Sequence, residues 1–281
     1  MSRQVFITDL DGTLLRSDQT LSNHTVDTLT CLLEQDTIVT FATARGSISA
    51  QNVVGRVPWK YPVILYNGAL LMDWTNDRVI DGYWLDQRVT NEVIAVGRQY
   101  GITPLLFTLD ANDRERVWHE RLVRRGVTEF VRSRKDDPRF VEVAKLQCPD
   151  DERTLAVTYI GLKDELEPIL ADVNAKLGHL VHAHMLKDYY IEDHYFLEFS
   201  HLNGNKKDGL KLWAQHMGIE LADTVIFGDH LNDLGLFEVG GTKIAVANAH
   251  ESIIQMADQV ILSNNEDGVA NYVRDRIGNS E

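Results

Sequence analysis

The chain has 281 residues, 44% of them hydrophobic and 25% charged, which is room for one large or two modest globular domains. Its formal net charge of −14 argues against nucleic acid as the main partner, because a phosphate backbone is held by a basic face. No stretch approaches the roughly 20 apolar residues of a membrane span, so no membrane partner is expected. The opening MSRQVFITDLDGT carries neither an h-region nor a small-residue cleavage site. Cys31 and Cys148 alone make no disulfide framework, which sets a reducing, cytoplasmic location as the expectation. Nothing in these figures sets an oligomeric state. Acidity does not exclude a small phosphorylated ligand, since a bound cation and a few basic groups set the field inside a pocket.

In chain order, Gln4–Thr8 is a β-rich apolar run that stops at Asp9. Residues Asn23–Glu34 place Val26, Leu29, Leu32 and Leu33 on one helical face, capped by Ser22 or Asn23. Thr37–Thr43 is continuous and β-branched, as a strand buried on both faces should be. Ser47–Val54 predicts a short helix, and Pro62–Tyr66 a third strand ending in the turn pair Asn67-Gly68.

The middle reads differently. It predicts helices at Asn91–Tyr100, Arg114–Arg125 and Glu165–Leu177, among strands at Leu105–Leu109, Leu155–Ile160 and Phe196–Phe199. The first style then returns. Lys206–Met217 is a helix stopped by Gly218, and Thr224–Phe227 is a strand stopped by Gly228-Asp229. Leu231–Val239 reads as helix, Lys243–Val246 as strand, Ile253–Ala257 as helix, Gln259–Leu262 as strand and Gly268–Ile277 as the last helix. The fold class expected is α/β: a Rossmann-like parallel sheet built from residues 1–83 and 198–281, with an α+β domain of residues 84–197 inserted. One α/β domain with long decorations is the alternative.

Chemistry-bearing residues gather where these strands end. Asp9 and Asp11 follow the first strand, and Gly12 lets the chain turn away. Thr43 ends the second strand and could donate to a phosphate oxygen or simply bond its own loop; Arg45 follows and either contacts phosphate or is solvated. Lys206 and Lys207 open a helix, whose N-terminus favours anions. Asp229 and Asp233 follow the fourth strand at i, i+4. They are hard oxygen ligands suited to Mg²⁺, although Asp229 could equally be a helix cap. Together they are what phosphoryl transfer through an aspartyl-phosphate would need.

DLDGT, Thr43, Lys206 and GDHLND, in this order and spacing, resemble the four motifs of the haloacid dehalogenase superfamily. YNGA at 66–69, AVANA at 245–249, EDGVANYV at 266–273 and the place of the insertion resemble its Cof-type branch, with a C2 (type IIB) cap. The resemblance covers nearly all of the core, but the cap only in size and placement. It implies a phosphatase in which Asp9 attacks phosphorus and Asp11 protonates the leaving oxygen and then activates water. It implies Mg²⁺ held by the Asp9 carboxylate, the Asp11 backbone carbonyl and Asp229, with Asn232 and Asp233 supporting the metal waters or the lysine. Thr43 and Lys206 would bind the phosphoryl group, joined by the amides of the Leu10–Gly12 loop, and the cap would close over the substrate. The second motif departs from the family's common Thr-Gly-Arg, reading Thr43-Ala44-Arg45. Counting back from Gly218-Ile219 favours Lys206 over Lys207 as the phosphate lysine, with Lys207 the alternative.

The expected substrate is a small phosphorylated metabolite, a sugar phosphate or a phosphorylated cofactor. A phosphosugar mutase would use the same Asp9 and Asp11, and a basic cap cluster among Arg121, Arg124, Arg125, Arg132 and Arg134 would favour it. A non-catalytic regulator should have lost Asp9 or Asp11, and both are present. His179, His182, His184, His194 and His201 are read as surface or packing residues, not zinc ligands. Trp59, Trp74, Trp84, Trp118 and Trp213 read as packing residues, and Arg121, Arg124 and Arg125 as one solvated helix face.

Overall fold

The computed structural model describes residues 5–134, 136–187 and 191–278; Gln4, at the start of the first expected strand, lies outside them. The chain divides into two compact units, one of residues 1–82 with 205–281, the other of residues 83–204.

The first unit is a five-stranded sheet in the order Gln259–Ile261, Thr242–Val246, Thr224–Gly228, Val5–Thr8, Ile38–Phe41. Every pairing in it is parallel. The strands Thr224–Gly228, Val5–Thr8 and Ile38–Phe41 are buried along their whole length, which explains their unbroken apolar character. The helix Asn23–Glu34 buries the face its spacing foretells, Val26, Leu29, Leu32 and Leu33, and the helix Lys206–Met217 buries Leu210 and Trp213. Because the first strand lies in the middle, the chain leaves it to one side and later returns on the other. Val5–Thr8 and its neighbour Thr224–Gly228 flank that reversal, where open α/β sheets bind ligands.

A small antiparallel sheet, Val63–Leu65, Leu70–Asp73 and Arg78–Gly82, is joined to the main one by the bridge between Ala42 and Ile64. Its last two strands were not foreseen. Asp73 and Arg78–Gly82 are too polar to stand out as strands, and their pairing supplies the regularity.

The second unit is a six-stranded sheet in the order Val181–Lys187, His194–His201, Arg153–Leu162, Leu105–Leu109, Glu115–His119, Phe140–Glu142. Helices Gln87–Gln99 and Lys163–Leu177 pack with Val157, Tyr159, Leu197 and Phe199 on one face. Helix Arg125–Arg132 packs with Leu105, Val117 and Ile160 on the other.

Three expectations need correcting here. The segment expected as helix 114–125 is a strand, Glu115–His119, followed by a helix that begins only at Arg125. The residues Glu-Arg-Val-Trp-His are tolerable helix formers, but their burial alternates with period two and a turn pins them. In that turn Asp110 accepts from the N–H groups of Asn112 and Arg114 at 2.8 and 3.0 Å. Arg121, Arg124 and Arg125 therefore share no helix face: Arg124 pairs with Glu165 at 2.5 Å, and Arg125 with Glu129 at 2.8 Å. Finally, the expected return to the first unit at residue 198 falls inside the strand His194–His201, whose pairing with Arg153–Leu162 keeps it in the inserted unit.

Candidate active site

Strand register builds the site. Thr8 is level with Phe227 on one side and with Phe41 on the other. The Asp9 N–H extends the ladder to Phe227 O at 3.0 Å, and the Ala42 N–H reaches Thr8 O at 2.9 Å. Asp9, Thr43 and Asp229, each just past its strand, thus share one sheet edge. All three are buried.

The loop after Asp9 folds tightly, with the amides of Thr13, Leu14 and Leu15 all turned to Leu10 O. Gly12 has φ +82°, and a Cβ there would lie 2.3 Å from Asp229 Oδ2. Only glycine lets this loop rest on that carboxylate. Thr13 Oγ1 then donates to Asp229 Oδ1 at 3.0 Å. Thr13 lies within the DLDGT motif but received no role from the sequence.

The helix Lys206–Met217 is capped by Asn205, whose side chain accepts from the Asp208 N–H at 3.0 Å. Lys206 is its first residue and is fully buried. Its Nζ donates to Asp9 Oδ1 at 2.5 Å and to Asp233 Oδ1 at 2.7 Å. Asp233 Oδ2 accepts from the amides of Asp229 and His230 at 3.0 and 3.2 Å. Asp233 thus ties the lysine to the loop that carries Asp229. Lys207 instead pairs with exposed Glu238 at 2.7 Å.

Asp11 turns away from this cluster. Both its oxygens face Arg45, whose Nε and Nη2 donate at 2.7 and 2.6 Å, a bidentate pairing. Thr43 Oγ1 accepts from the Arg45 N–H at 3.2 Å, so the loop bond foreseen as one alternative is present. The hydroxyl keeps its own proton to give.

Asparagines brace the edge, and the sequence offered no signal for most of them. At the YNG turn Tyr66 and Asn67 take φ +49° and +52°, and Gly68 takes φ +101°. A Cβ on Gly68 would meet Asn205 O at 2.1 Å, so the turn lies directly on the start of the Lys206 helix. Asn232, expected to support the metal waters or the lysine, donates to Asn67 Oδ1 at 3.2 Å. Asn248 of AVANA donates to Gly12 O at 2.8 Å and accepts from the N–H of buried Asn264 at 2.9 Å. In EDGVANYV, Asp267 pairs with Arg16 at 3.1 Å.

The electrostatics follow from crowding. Burial, with Asp233, Asp229 and Asp11 nearby, raises Asp9 well above the usual carboxylate range, although Lys206 pulls it down. Burial, reinforced by Asp233, pushes Asp229 up to about 7 against the opposing Thr13 hydrogen bond and Lys206. Burial would lower Lys206, but Asp233 and Asp9 hold it well above the ordinary lysine range. Burial lowers His230.

Ligand oxygens of Asp9, Asp229 and Asp233 lie within 4.8 Å of one another. Three buried carboxylates face a single buried ammonium, an excess of negative charge that suits a divalent cation. The donors are hard oxygens of the kind Mg²⁺ takes. Asp233 already serves Lys206 and two amides, which leaves Asp9 and Asp229 as the fitting carboxylate ligands. The Asp11 side chain is no part of this group, which is compatible with a role for its backbone carbonyl alone.

Among the described residues no histidine joins such a group. His184 lies 3.6 Å from Glu198, His194 Nδ1 meets Glu192 O at 2.8 Å, and His201 stacks on Tyr83. The tryptophans pack: Phe41 sits edge-on to Trp59 and Trp74, and Trp213 Nε1 donates to Pro62 O at 2.8 Å. No helix among the described residues is long and apolar enough to cross a membrane.

The profile of the haloacid dehalogenase-like hydrolases matches residues 6–273. YitU of Bacillus subtilis (strain 168), a 5-amino-6-(5-phospho-D-ribitylamino)uracil phosphatase, is 24% identical over 273 residues, covering 95% of each chain. The pyridoxal phosphate phosphatase YbhA of Escherichia coli (strain K12) is 23% identical, over 97% of this chain and 98% of its own. In fold, the crystal structure of a haloacid dehalogenase-like hydrolase from Bacteroides thetaiotaomicron matches with a TM-score of 0.78 at 22% identity, over 98% of this chain and 99% of its own. The chain therefore belongs to the haloacid dehalogenase-like hydrolase family. Within it the chain is of the Cof type, and it is an enzyme, a hydrolase of phosphoric monoesters.

Proposed function

We propose that this enzyme is a Mg²⁺-dependent phosphatase that hydrolyses a small phosphorylated metabolite, a sugar phosphate or a phosphorylated cofactor, through an aspartyl-phosphate on Asp9. The observation that carries the reading is buried Lys206 bridging Asp9 and Asp233 beside Asp229. A lysine so held fixes the Asp9 carboxylate in one orientation and offers positive charge to a phosphoryl group brought against it. Asp9 and Asp229, with the Asp11 carbonyl, would hold Mg²⁺, which when bound would offset the charge of the phosphoryl oxygens. The Thr43 hydroxyl already accepts the Arg45 N–H, so its proton is directed to another acceptor, in this reading a phosphoryl oxygen. Asp11 gives a proton to the leaving oxygen as the P–O bond breaks. It takes one back from the water that releases phosphate from Asp9. The inserted unit is assigned the cap's task of selecting the substrate, and the setting is cytoplasmic.

The substrate class draws support from the relatives named for a phosphorylated ribitylaminouracil and for pyridoxal phosphate. A phosphosugar mutase would draw on a basic cluster in the inserted unit. Its arginines are instead dispersed: Arg124 pairs with Glu165, Arg125 with Glu129, and Arg134 lies over the Phe130 ring. Hydrolysis is therefore the preferred reading. The test is phosphate release across a panel of phosphorylated metabolites, with and without Mg²⁺. Release should require Mg²⁺ and be lost in Asp9→Asn. Release unchanged in that variant would refute the nucleophile, and isomerised sugar phosphate without free phosphate would favour the mutase.

A further inference from the structure

Three segments carry Thr43, Lys206 and the pair Asp229 and Asp233, and one turn touches all of them. In the turn Tyr66–Gly68 the Tyr66 N–H donates to Arg45 O at 3.1 Å and the Asn67 N–H to Thr43 O at 2.9 Å, which ties it to the loop after the strand Ile38–Phe41. Gly68 lies against Asn205 O, and a Cβ on Gly209 would come within 2.6 Å of the Gly68 Cα, so the same turn is pressed on the start of the Lys206 helix. The Asn67 side chain meets the third segment through Asn232.

This turn is an uncommon one. Tyr66 and Asn67 both take left-handed φ, a region that asparagine tolerates and an aromatic residue rarely enters. All three residues are buried, Asn67 to 3% exposure, so packing on the neighbouring segments imposes the conformation. Such strain persists where the surroundings over-determine it, and it gathers at functional sites. Its effect here is to hold the Asn67 amide 3.2 Å from that of Asn232, which is 165 residues away in sequence.

The direction of that hydrogen bond matters. Asn67 Oδ1 accepts, so Asn232 presents its NH₂. This is the one side-chain hydrogen bond that Asn232 makes among the described residues. The amide oxygen of Asn232 is thereby committed to the side away from Asn67, and a flip of the amide would forfeit the bond. A water held by a divalent cation has its lone pair on the metal and offers only protons to its neighbours, which must then be acceptors; Mg²⁺ keeps several such waters. Asn232 lies three residues from Asp229 and one from Asp233.

We propose that Asn67 is a positioning residue for the cation site: by taking the Asn232 NH₂ it makes the Asn232 oxygen the acceptor for cation-bound water, and so raises Mg²⁺ affinity from outside the ligand set. This rests on the reading of Asp9 and Asp229 as Mg²⁺ ligands given above.

Calorimetric titration of the full chain with Mg²⁺ tests it, with Tm in EDTA for each variant. Asn67→Gly accepts the left-handed backbone and removes the amide, whereas Asn67→Asp tolerates that backbone and keeps an acceptor. Asn67→Gly should bind Mg²⁺ about fivefold more weakly, Asn232→Ala about tenfold, and Asn67→Asp should stay within about threefold of wild type. Adding Asn67→Gly to Asn232→Ala should weaken binding by less than about 1.5-fold, because the partner through which Asn67 acts is already gone. Full affinity in Asn67→Gly, equal loss in Asn67→Gly and Asn67→Asp, losses that add in the double variant, or a loss confined to variants that melt early in EDTA would overturn the proposal. Asp229→Asn separates the two claims. If it keeps wild-type Mg²⁺ affinity, the ligand reading fails. If it loses Mg²⁺ while Asn67→Gly binds as wild type does, only the role of Asn67 fails.

Discussion

Lys206 carries the sharpest residue-scale consequence. Its ammonium is buried between Asp9 and Asp233, so removing it leaves two buried carboxylates without their cation. Breaking a buried ion pair from one side costs about 3–5 kcal/mol. Lys206→Ala should therefore lose activity and unfold several degrees earlier, as followed by thermal melts. Lys207→Ala, which removes an exposed pair with Glu238, should melt with wild type and keep its activity. That Asp9, Thr43, Lys206 and Asp229 would gather at one sheet edge was legible because each sits at a strand end or helix start, positions that sequence periodicity can locate. Thr13, Asn67 and Asn248 were not assigned a part, and Arg45 was read only as a phosphate contact or a solvated residue, not as the partner of Asp11. Their partners lie 216, 165, 236 and 34 residues away, and only the folded register brings them near.

At the scale of elements, the loop after the first strand and the hairpin of the inserted unit behave differently. Gly12 is pressed against Asp229, so Gly12→Ala adds a methyl where a carboxylate oxygen now lies, at a positive φ. We expect a properly folded variant, by circular dichroism, with Mg²⁺ affinity reduced about tenfold or more, read by calorimetric titration. Unchanged affinity would mean that the loop does not shape the cation site.

In the hairpin, Asp110 accepts from two amides and pairs with Arg114 and Arg116 at 2.9 and 3.1 Å. Burial would raise this carboxyl, but those bonds lower it to about 2. Its folded value lies below its unfolded one, so its stabilisation is present above pH 3.8 and is lost as pH falls toward about 2. Asp110→Ala should cost about 1–3 kcal/mol in urea melts at neutral pH and leave catalytic constants unchanged. This turn also explains the misread helix. Propensity could not show that Glu115–His119 would be pinned across from Leu105–Leu109, whereas the buried parallel strands announced themselves by composition alone.

For the molecule as a whole, the parallel sheet and its edge were readable from the chain's alternating style, while the limits of the inserted unit were not. Strand His194–His201 belongs to that unit through pairing with Arg153–Leu162, and pairing leaves no local trace in a sequence. The acidic centre makes stability depend on pH in a direction opposite to the usual one. Asp229 titrates at about 7 in the folded chain against 3.8 unfolded, so the metal-free fold binds the extra proton between these values. Stability from this group is therefore full below pH 3.8 and falls as pH rises toward about 7. Mg²⁺ favours the ionised form, so its stabilising effect should grow over the same range and be accompanied by proton release. Melts in EDTA and in excess Mg²⁺ between pH 5 and about 8 check this; a Mg²⁺ effect that shrinks with rising pH would count against Asp229 as a ligand.

The central claim, that phosphorus is transferred to Asp9, is tested most directly by reductive trapping. Asp11→Asn enzyme is mixed with substrate and Mg²⁺, quenched with acid, reduced with borohydride and mapped by mass spectrometry. The account predicts that the carboxyl of Asp9, and of no other residue, is converted to an alcohol in a substrate- and Mg²⁺-dependent way. An unmodified Asp9 together with a modified residue elsewhere, or full turnover in Asp9→Asn, would contradict it.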